Sequence, residues 1–145
     1  MISDLANSGA MPVLQQVYSF AGARQRLLAH NISNLQTPGF RSLDVSVREF
    51  REDLARAVAE RRGSTGGQHG ELDLRNTDEI ERGPEGFMRL KPTTASGAPT
   101  LDTGNDSDVE RLMQGLAENT MAFRLASDLI RRENQLLHTA ISQRV

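Results

Sequence analysis

Three histidines, an acidic cluster and a glycine-rich run are the features of this 145-residue chain whose chemistry could be catalytic or metal-binding. His30, His69 and His138 stand far apart, and none has a second His or a carboxylate at metal-ligand spacing. They read as packing or solvent-facing side chains. Asp102, Asn105, Asp106, Asp108 and Glu110 carry enough oxygen for calcium. An EF-hand loop needs Gly at its sixth position and Glu at its twelfth, and frames from Asp102 or Asp106 supply neither. A helix cap accounts for the same residues without a metal. Gly63 to Gly70 is not followed by G-K-[ST] and has no strand–loop–helix frame, so it reads as a linker rather than a phosphate cradle. G-x-S-x-G is absent. There is no cysteine, which excludes disulfides, thiolate catalysis and Cys-ligated zinc. The expectation is a protein without catalytic residues, cofactor or metal.

The residues that carry information sit instead at Asn31 to Phe40, N-I-S-N-L-Q-T-P-G-F. Thr37 precedes a proline, which disfavours the α region there. Pro38-Gly39 fits the two central positions of a type II turn, where the second residue needs φ > 0. Asn31 and Asn34 lie one helical turn apart on a shared face. Two amides just before a forced stop imply a helix end that must be held against something.

The elements that position this turn are helical. Pro12 suits a first helical turn. Apolar residues then recur along two neighbouring stripes, Val13, Val17, Phe20 and Leu27, and Leu14, Ala21, Leu28, Ile32 and Leu35. That spacing predicts a helix over 12–35 with a wide apolar face. After the turn, Val47, Phe50, Leu54, Ala57 and Val58 predict a second, shorter helix near 46–61. Leu43, Val45 and Val47 also alternate, so its start reads equally as extended.

Near the C-terminus, Ser107-Asp108-Val109-Glu110 fits a capping box, with Ser107 and Glu110 as its reciprocal pair. Beyond it Val109, Leu112, Leu116, Asn119, Phe123, Ala126, Ile130, Glu133, Leu137 and Ala140 alternate in steps of three and four, a heptad seam widened by Met113, Leu129, Leu136 and Ile141. Asn119 at a seam position fixes register, or else the helix is rotated and Leu116 or Thr120 takes the interface. A seam of this kind needs a partner, and the helix at 12–35 is the obvious one. The resulting fold class is mainly α: long N- and C-terminal amphipathic helices paired as a coiled coil, a short third helix, and a Gly/Pro-rich middle. The organisation is a flexible start at 1–11, then 12–61, a connector at 62–103, and 104–145. In the connector, Leu72-Asp73-Leu74 and Phe87-Met88-Arg89-Leu90 predict two short strands joined across Gly83-Pro84, or irregular loop.

Hydrophobic residues make up 37% and aromatics 4%, thin material for a compact core. The surplus apolar helix surface predicts contacts with other chains. Net charge is −2, with no basic excess for nucleic acid and no polybasic run for an acidic membrane surface. No run approaches the ~18 apolar residues of a membrane-spanning helix. The first twelve residues lack the regions of a cleaved signal peptide, so the expectation is a chain that stays in the cytosol or leaves by a route needing no cleaved signal.

The run R-Q-R-L-L-A-H-N-I-S-N-L-Q-T-P-G-F-R, Arg24 to Arg41, resembles the signature of bacterial flagellar axial proteins, the rod, hook and hook-associated subunits. There a long helix ends in A-N-x-x-T-P-G-[FY]-[KR]. Ser33 stands where Ala is commoner. F-R-S-L-D-V-S-V-R-E-F from Phe40 to Phe50, and G-N-D-S-D-V-E-R-L-M-Q-G-L-A-E-N-T-M-A-F from Gly104 to Phe123, narrow the resemblance to the proximal rod subunits of that family. It covers about 12–61 and 104–143. Residues 62–103 depart from it, with Gly63–Gly70 and L-D-L-R-N-T-D-E-I where T-x-x-x-H-L-like residues are expected.

The resemblance implies a structural subunit exported unfolded by the flagellar type III apparatus. It implies assembly in a helical array at the rod base of the basal body, on the periplasmic side. The implied partners are other copies of the chain, adjacent rod, rod-adaptor and membrane-ring proteins, and the export apparatus. Under this reading Pro38-Gly39 redirects the chain outward, Phe40 anchors it, and Asn31 and Asn34 cap the helix or bridge to neighbouring subunits. The rival readings are another rod or hook subunit, a cytosolic coiled-coil adaptor or export chaperone, and a small enzyme. An adaptor leaves T-P-G-F without a reason.

Overall fold

A computed structural model describes residues 9–67, 69–70, 72–83, 88–94 and 106–142. Three helices dominate: α1 (Met11–Ser33), α2 (Val47–Thr65) and α3 (Asp106–Ser142). Among the described residues four short strands lie between them: β1 (Leu43–Asp44), β2 (Ile80–Arg82), β3 (Met88–Leu90) and β4 (Thr93–Thr94). β1 pairs antiparallel with β4, and β2 with β3.

The long helices α1 and α3 pack together along their length, in opposite directions. Gly9 lies beside Glu133, Gly22 beside Phe123, and Arg24 and Leu28 beside Gly115. Gly22 eases this approach, because a Cβ there would stand 3.3 Å from the Phe123 ring, a tight contact that the ring would have to relieve by a few tenths of an ångström. Tyr18 stacks on Phe123 with ring centroids 4.6 Å apart. Within the seam of α3, Asn119 and Ala126 are buried, and Leu112, Leu116, Phe123, Ile130, Glu133 and Leu137 are half-buried. The heptad alternation therefore marks the face that meets α1. Ile141, expected in the seam, is exposed.

The two stripes of α1 have different partners. Ala21 and Leu28 of one stripe meet α3. Val17, Phe20 and Leu27 of the other pack beside it, in a core with Val45, Phe50, Ile80 and Met88. This corrects the expectation that Val17, Phe20 and Leu27 belong to the coiled-coil seam. Adjacent stripes on a helix differ by a rotation large enough to serve two layers. Ile32 and Leu35 are half-buried near the end of the helix. α1 is thus shared between two layers, with α3 along one stripe and α2 and the strands along the neighbouring one.

α2 begins at an N-cap: the Ser46 side chain accepts the Glu49 N–H at 3.2 Å. It runs four residues past the expected end at 61, through Gly63. Gly66 closes it in the left-handed conformation, φ 68°, with its N–H on the Arg62 carbonyl. The linker reading of Gly63 is corrected accordingly. Arg56 on α2 lies between Asp53 and Glu60; its hydrogen bond to Asp53 raises the guanidinium pKa above its ordinary value. This surface fork, half-buried at Arg56 and Asp53, contributes little to stability. Buried Arg61 instead reaches back to the Gly9 carbonyl at 2.9 Å and ties α2 to the start of α1.

The expected hairpin exists with a different first strand. Ile80 pairs with Leu90 and Arg82 with Met88. Phe87 lies outside the described residues. Leu72 and Leu74 are buried but extended without a strand partner, packed on Ala57, Val58 and Val13. Their alternation reports one face laid on a helix, not a ladder. The Met88 N–H donates to Ser19 Oγ at 3.2 Å and fastens the hairpin to α1.

Phe20 and Phe50 stack with centroids 3.9 Å apart and link α1 to α2. Phe50→Ala should cost about 3–5 kcal/mol, the range for truncating a buried aromatic. Urea unfolding of the purified chain measures it, and a loss below about 1 kcal/mol would mean that this core does not hold the two layers together.

Candidate functional site

The joint between α1 and β1 is built from the residues singled out in the sequence. α1 ends at Ser33, and Asn34 occupies the C-cap with φ −105°. Its backbone N–H reaches the His30 and Asn31 carbonyls, both at 3.2 Å, and its side-chain Nδ2 donates to the His30 carbonyl at 2.8 Å. Asn34 therefore satisfies carbonyls that the helix end leaves open. The Thr37 N–H then donates to the Asn34 carbonyl at 2.9 Å, and the Phe40 N–H to the Thr37 carbonyl at 3.1 Å. With Gly39 at φ 75°, Thr37 to Phe40 form the turn that Pro-Gly requires. Thr37, Pro38 and Gly39 are exposed, and Phe40 is half-buried with its ring 5.7 Å from that of His30.

Asn31 does something the sequence did not reveal. Its side chain has no solvent-accessible surface. Nδ2 donates to the Leu43 carbonyl at 2.6 Å, and Oδ1 accepts the Leu43 N–H at 3.1 Å. The amide thus serves both backbone groups of one residue, as a neighbouring strand would. Bridging by Asn31 to a neighbouring subunit is excluded by this burial; the residue bridges within the chain.

One residue on, Asp44 takes a two-pronged ion pair from Arg24, with Nε to Oδ1 at 2.9 Å and Nη2 to Oδ2 at 2.7 Å. Oδ1 also accepts the Val45 N–H at 2.8 Å. The parallel fork matches carboxylate geometry and fixes orientation as well as charge. Glu79 completes the anchoring. Its carboxylate accepts the Ser46 N–H at 2.7 Å and the Thr93 hydroxyl at 2.9 Å. Four consecutive residues, Leu43 to Ser46, are therefore tied to α1, the core and the strand layer. Arg24–Asp44 and Glu79 carried no sequence signal, being separated by 20 and 33 residues from the groups they meet.

A second polar cluster lies midway along the α1–α3 seam. Asn119 is buried and donates to the Ala21 carbonyl at 2.9 Å and to Gln25 Oε1 at 2.8 Å. Gln25 Nε2 in turn donates to Thr120 Oγ1 at 3.2 Å. Asn119 and Thr120 both face α1, so the two alternatives for the seam meet in one network. At the N-terminal end of α3, Ser107 is already helical rather than an N-cap; its side chain lies outside the described residues, and Glu110 is exposed.

Among the described residues no three His, Asp or Glu side chains gather to hold a metal ion. No helix among them is long and apolar enough to cross a membrane. A groove of about 520 Å³ runs between α2 and α3 over an apolar floor of Val17, Phe20 and Ala21. Its walls carry Arg48, Arg51, Glu52 and Glu118, charges of both signs rather than a nucleophile beside a base.

Asn31→Ala should destabilise the chain by about 2–4 kcal/mol, because both backbone groups of Leu43 lose their partner. Asn31→Asp should cost more, since it removes the donor and sets a buried carboxylate against a carbonyl. Urea unfolding at neutral pH tests the order; an aspartate variant as stable as the native chain would contradict the clamp.

No family model matches the chain, and no solved structure matches it. Curated relatives do. The flagellar basal body rod protein FlgB of Borrelia hermsii is 29% identical over 111 residues, 73% of this chain and 76% of that protein. The protein of the same name from Proteus mirabilis is 28% identical over 131 residues, 89% and 90% of the two chains. That from Salmonella typhimurium is 25% identical over 127 residues, 80% of each. Five relatives of this name, from several bacteria, match at 25–29% identity over 73–89% of the chain, and together they support a FlgB-type flagellar basal body rod protein.

Proposed function

We propose that this chain is a structural, non-catalytic subunit of the proximal rod, exported by the flagellar type III system without a cleaved signal peptide. It assembles helically at the rod base beside the membrane-ring complex. Its partners there are other copies of itself and adjacent rod, rod-adaptor and ring proteins.

The observation that carries this reading is the outer surface of α3. At 37 residues the helix is roughly 55 Å long at ~1.5 Å per residue. α1, with 23 residues, covers one side of part of it. Met113, Met121, Leu125, Leu136 and Ile141 remain exposed. Apolar side chains repeated along one helix are the mark of a surface awaiting a partner. The turn at Thr37–Phe40 adds a rigid, exposed corner at the far end of the helix pair, held from inside by Asn31.

Gly39 separates folding from assembly. A Cβ there would meet nothing within 4 Å, so the cost of a side chain is backbone strain alone. Gly39→Val, β-branched at φ > 0, should distort the corner while leaving the buried layers in place. Cells carrying it should still export the subunit but build basal bodies without a complete rod, as seen by electron microscopy. Normal rods in that strain would sink the role given to this turn.

A further inference from the structure

Because α1 meets α3 and α2 along neighbouring stripes, those two helices flank an open trough over α1. The trough has two stretches. One, of about 520 Å³, lies over Val17, Phe20 and Ala21. The other, of about 550 Å³, runs on along α2 past Val13 of α1, over Leu54, Ala55, Val58 and Ala59. Arg51 and Leu54 line both, so the two are continuous. From Arg48 to Arg62 the trough is about 21 Å long, at ~1.5 Å per residue of α2. Leu54 and Val58 are half-buried in it, and Ala55 and Ala59 are exposed. Three packed helices with an apolar strip left open along them have room for a fourth.

Two arginines bound the strip. Arg51 and Arg62 are exposed and stand eleven residues apart, three helical turns, on one flank of α2. Among the described residues neither has an ion pair, whereas Arg48 meets Glu52 and Arg56 meets Asp53 and Glu60. Unpaired cations at either end of an apolar strip are complementary to carboxylates at the same spacing. Neither long helix of a second copy offers these. α1 holds no Asp or Glu, and no two carboxylates of α3 are eleven residues apart. Glu49 and Glu60 of α2 have the spacing, but Asp53 and Arg56 lie between them in place of apolar residues, and Glu60 is held by Arg56 and Arg75. We propose that the trough takes an amphipathic helix from a different protein of the assembled rod. Its apolar face lies on Leu54 to Ala59, and two carboxylates three turns apart pair with Arg51 and Arg62. The contact rests on the reading of the chain as a rod subunit. It belongs to the subunit in place and makes no demand on the order of α1 or α3 in the free chain.

Basal bodies from cells carrying a photo-crosslinking amino acid in place of Ala55 or Ala59 test it, since both positions are exposed within the strip. Irradiation should join the chain to a peptide of another rod or ring protein. Mass spectrometry of that peptide should show Asp or Glu eleven residues apart, flanking an apolar helical repeat. Arg51→Glu with Arg62→Glu, both at exposed positions, should leave export unchanged and lower the chain's amount in basal bodies at least about tenfold. Arg51→Lys with Arg62→Lys keeps the charges and should stay within about threefold of native. Changing the two carboxylates of the captured peptide to Arg should restore the glutamate pair. A crosslink to a second copy of this chain, or a captured peptide without the two carboxylates, would overturn the contact. So would a substituted chain that is present in basal bodies yet forms no crosslink, or native amounts there of the chain carrying both glutamates. In each of those cases the rod reading stands. Absence of the native chain from basal bodies would instead remove that reading, and the contact with it.

Discussion

Leu43 has both of its backbone polar groups paired with one side-chain amide, that of Asn31, in a place that water does not reach. Most of the architecture follows from this contact. α1 must end before Pro38, and the chain must turn back to cover the face of α1 that α3 leaves open. A returning segment of two strand residues is too short to hold itself. The amide supplies the missing strand edge from α1 itself. With Leu43 held, Asp44 falls opposite Arg24, Val45 enters the core, and Ser46 arrives where it can cap α2. Asparagine suits the position because it has a donor and an acceptor side by side; aspartate lacks the donor and alanine lacks both.

The second constraint is that α1 serves two layers at once. Its α3 side accommodates close approach, with Ala21 and Gly22 against Asn119 and Phe123, and it carries a polar network at Gln25. Its other side carries Phe20, Val17 and Leu27 against a conventional apolar core. The polar network stabilises less than an apolar seam would, yet buried amides that must find partners restrict sliding of one helix along the other. A coiled coil with a mixed seam has few ways to be in register. Asn119 has two acceptors, the Ala21 carbonyl and Gln25, and a shift by one turn would remove both.

How much of this was legible in the sequence depended on the range of the interaction. Periodicity is local, so the two stripes of α1, the seam of α3 and the existence of α2 could be read from spacing. The Pro38-Gly39 turn is local too, and Gly39 has the positive φ that its type demands. What periodicity lacks is the identity of the partner. Val17 and Phe20 repeat as regularly as Ala21 and Leu28, but nothing in the spacing assigns one pair to α2 and the other to α3. Leu72 and Leu74 alternate as a strand would, and the same alternation serves a chain lying on a helix. Gly63 reads as a breaker because an isolated glycine costs a helix about 1 kcal/mol. Here α2 carries on through it to the left-handed cap at Gly66. The start of α2 is set by the Ser46 N-cap, whose side chain takes the Glu49 N–H while its own N–H goes to Glu79, a pairing that the apolar repeat does not mark.

The long-range polar contacts left no such trace, and they are the ones that shape the site. Arg24 and Glu79 look like solvent-facing polar residues, and Asn31 like a cap or a bridge to a neighbour, until the fold brings Asp44, Ser46 and Leu43 to them. The outer face of α3 raises the opposite difficulty: its residues are legible, and its partner is not in the structure. Met113, Met121, Leu125, Leu136 and Ile141 are exposed on a helix of 37 residues that the 23 residues of α1 cannot cover, so the spacing of α3 states the need for a further partner without stating which one.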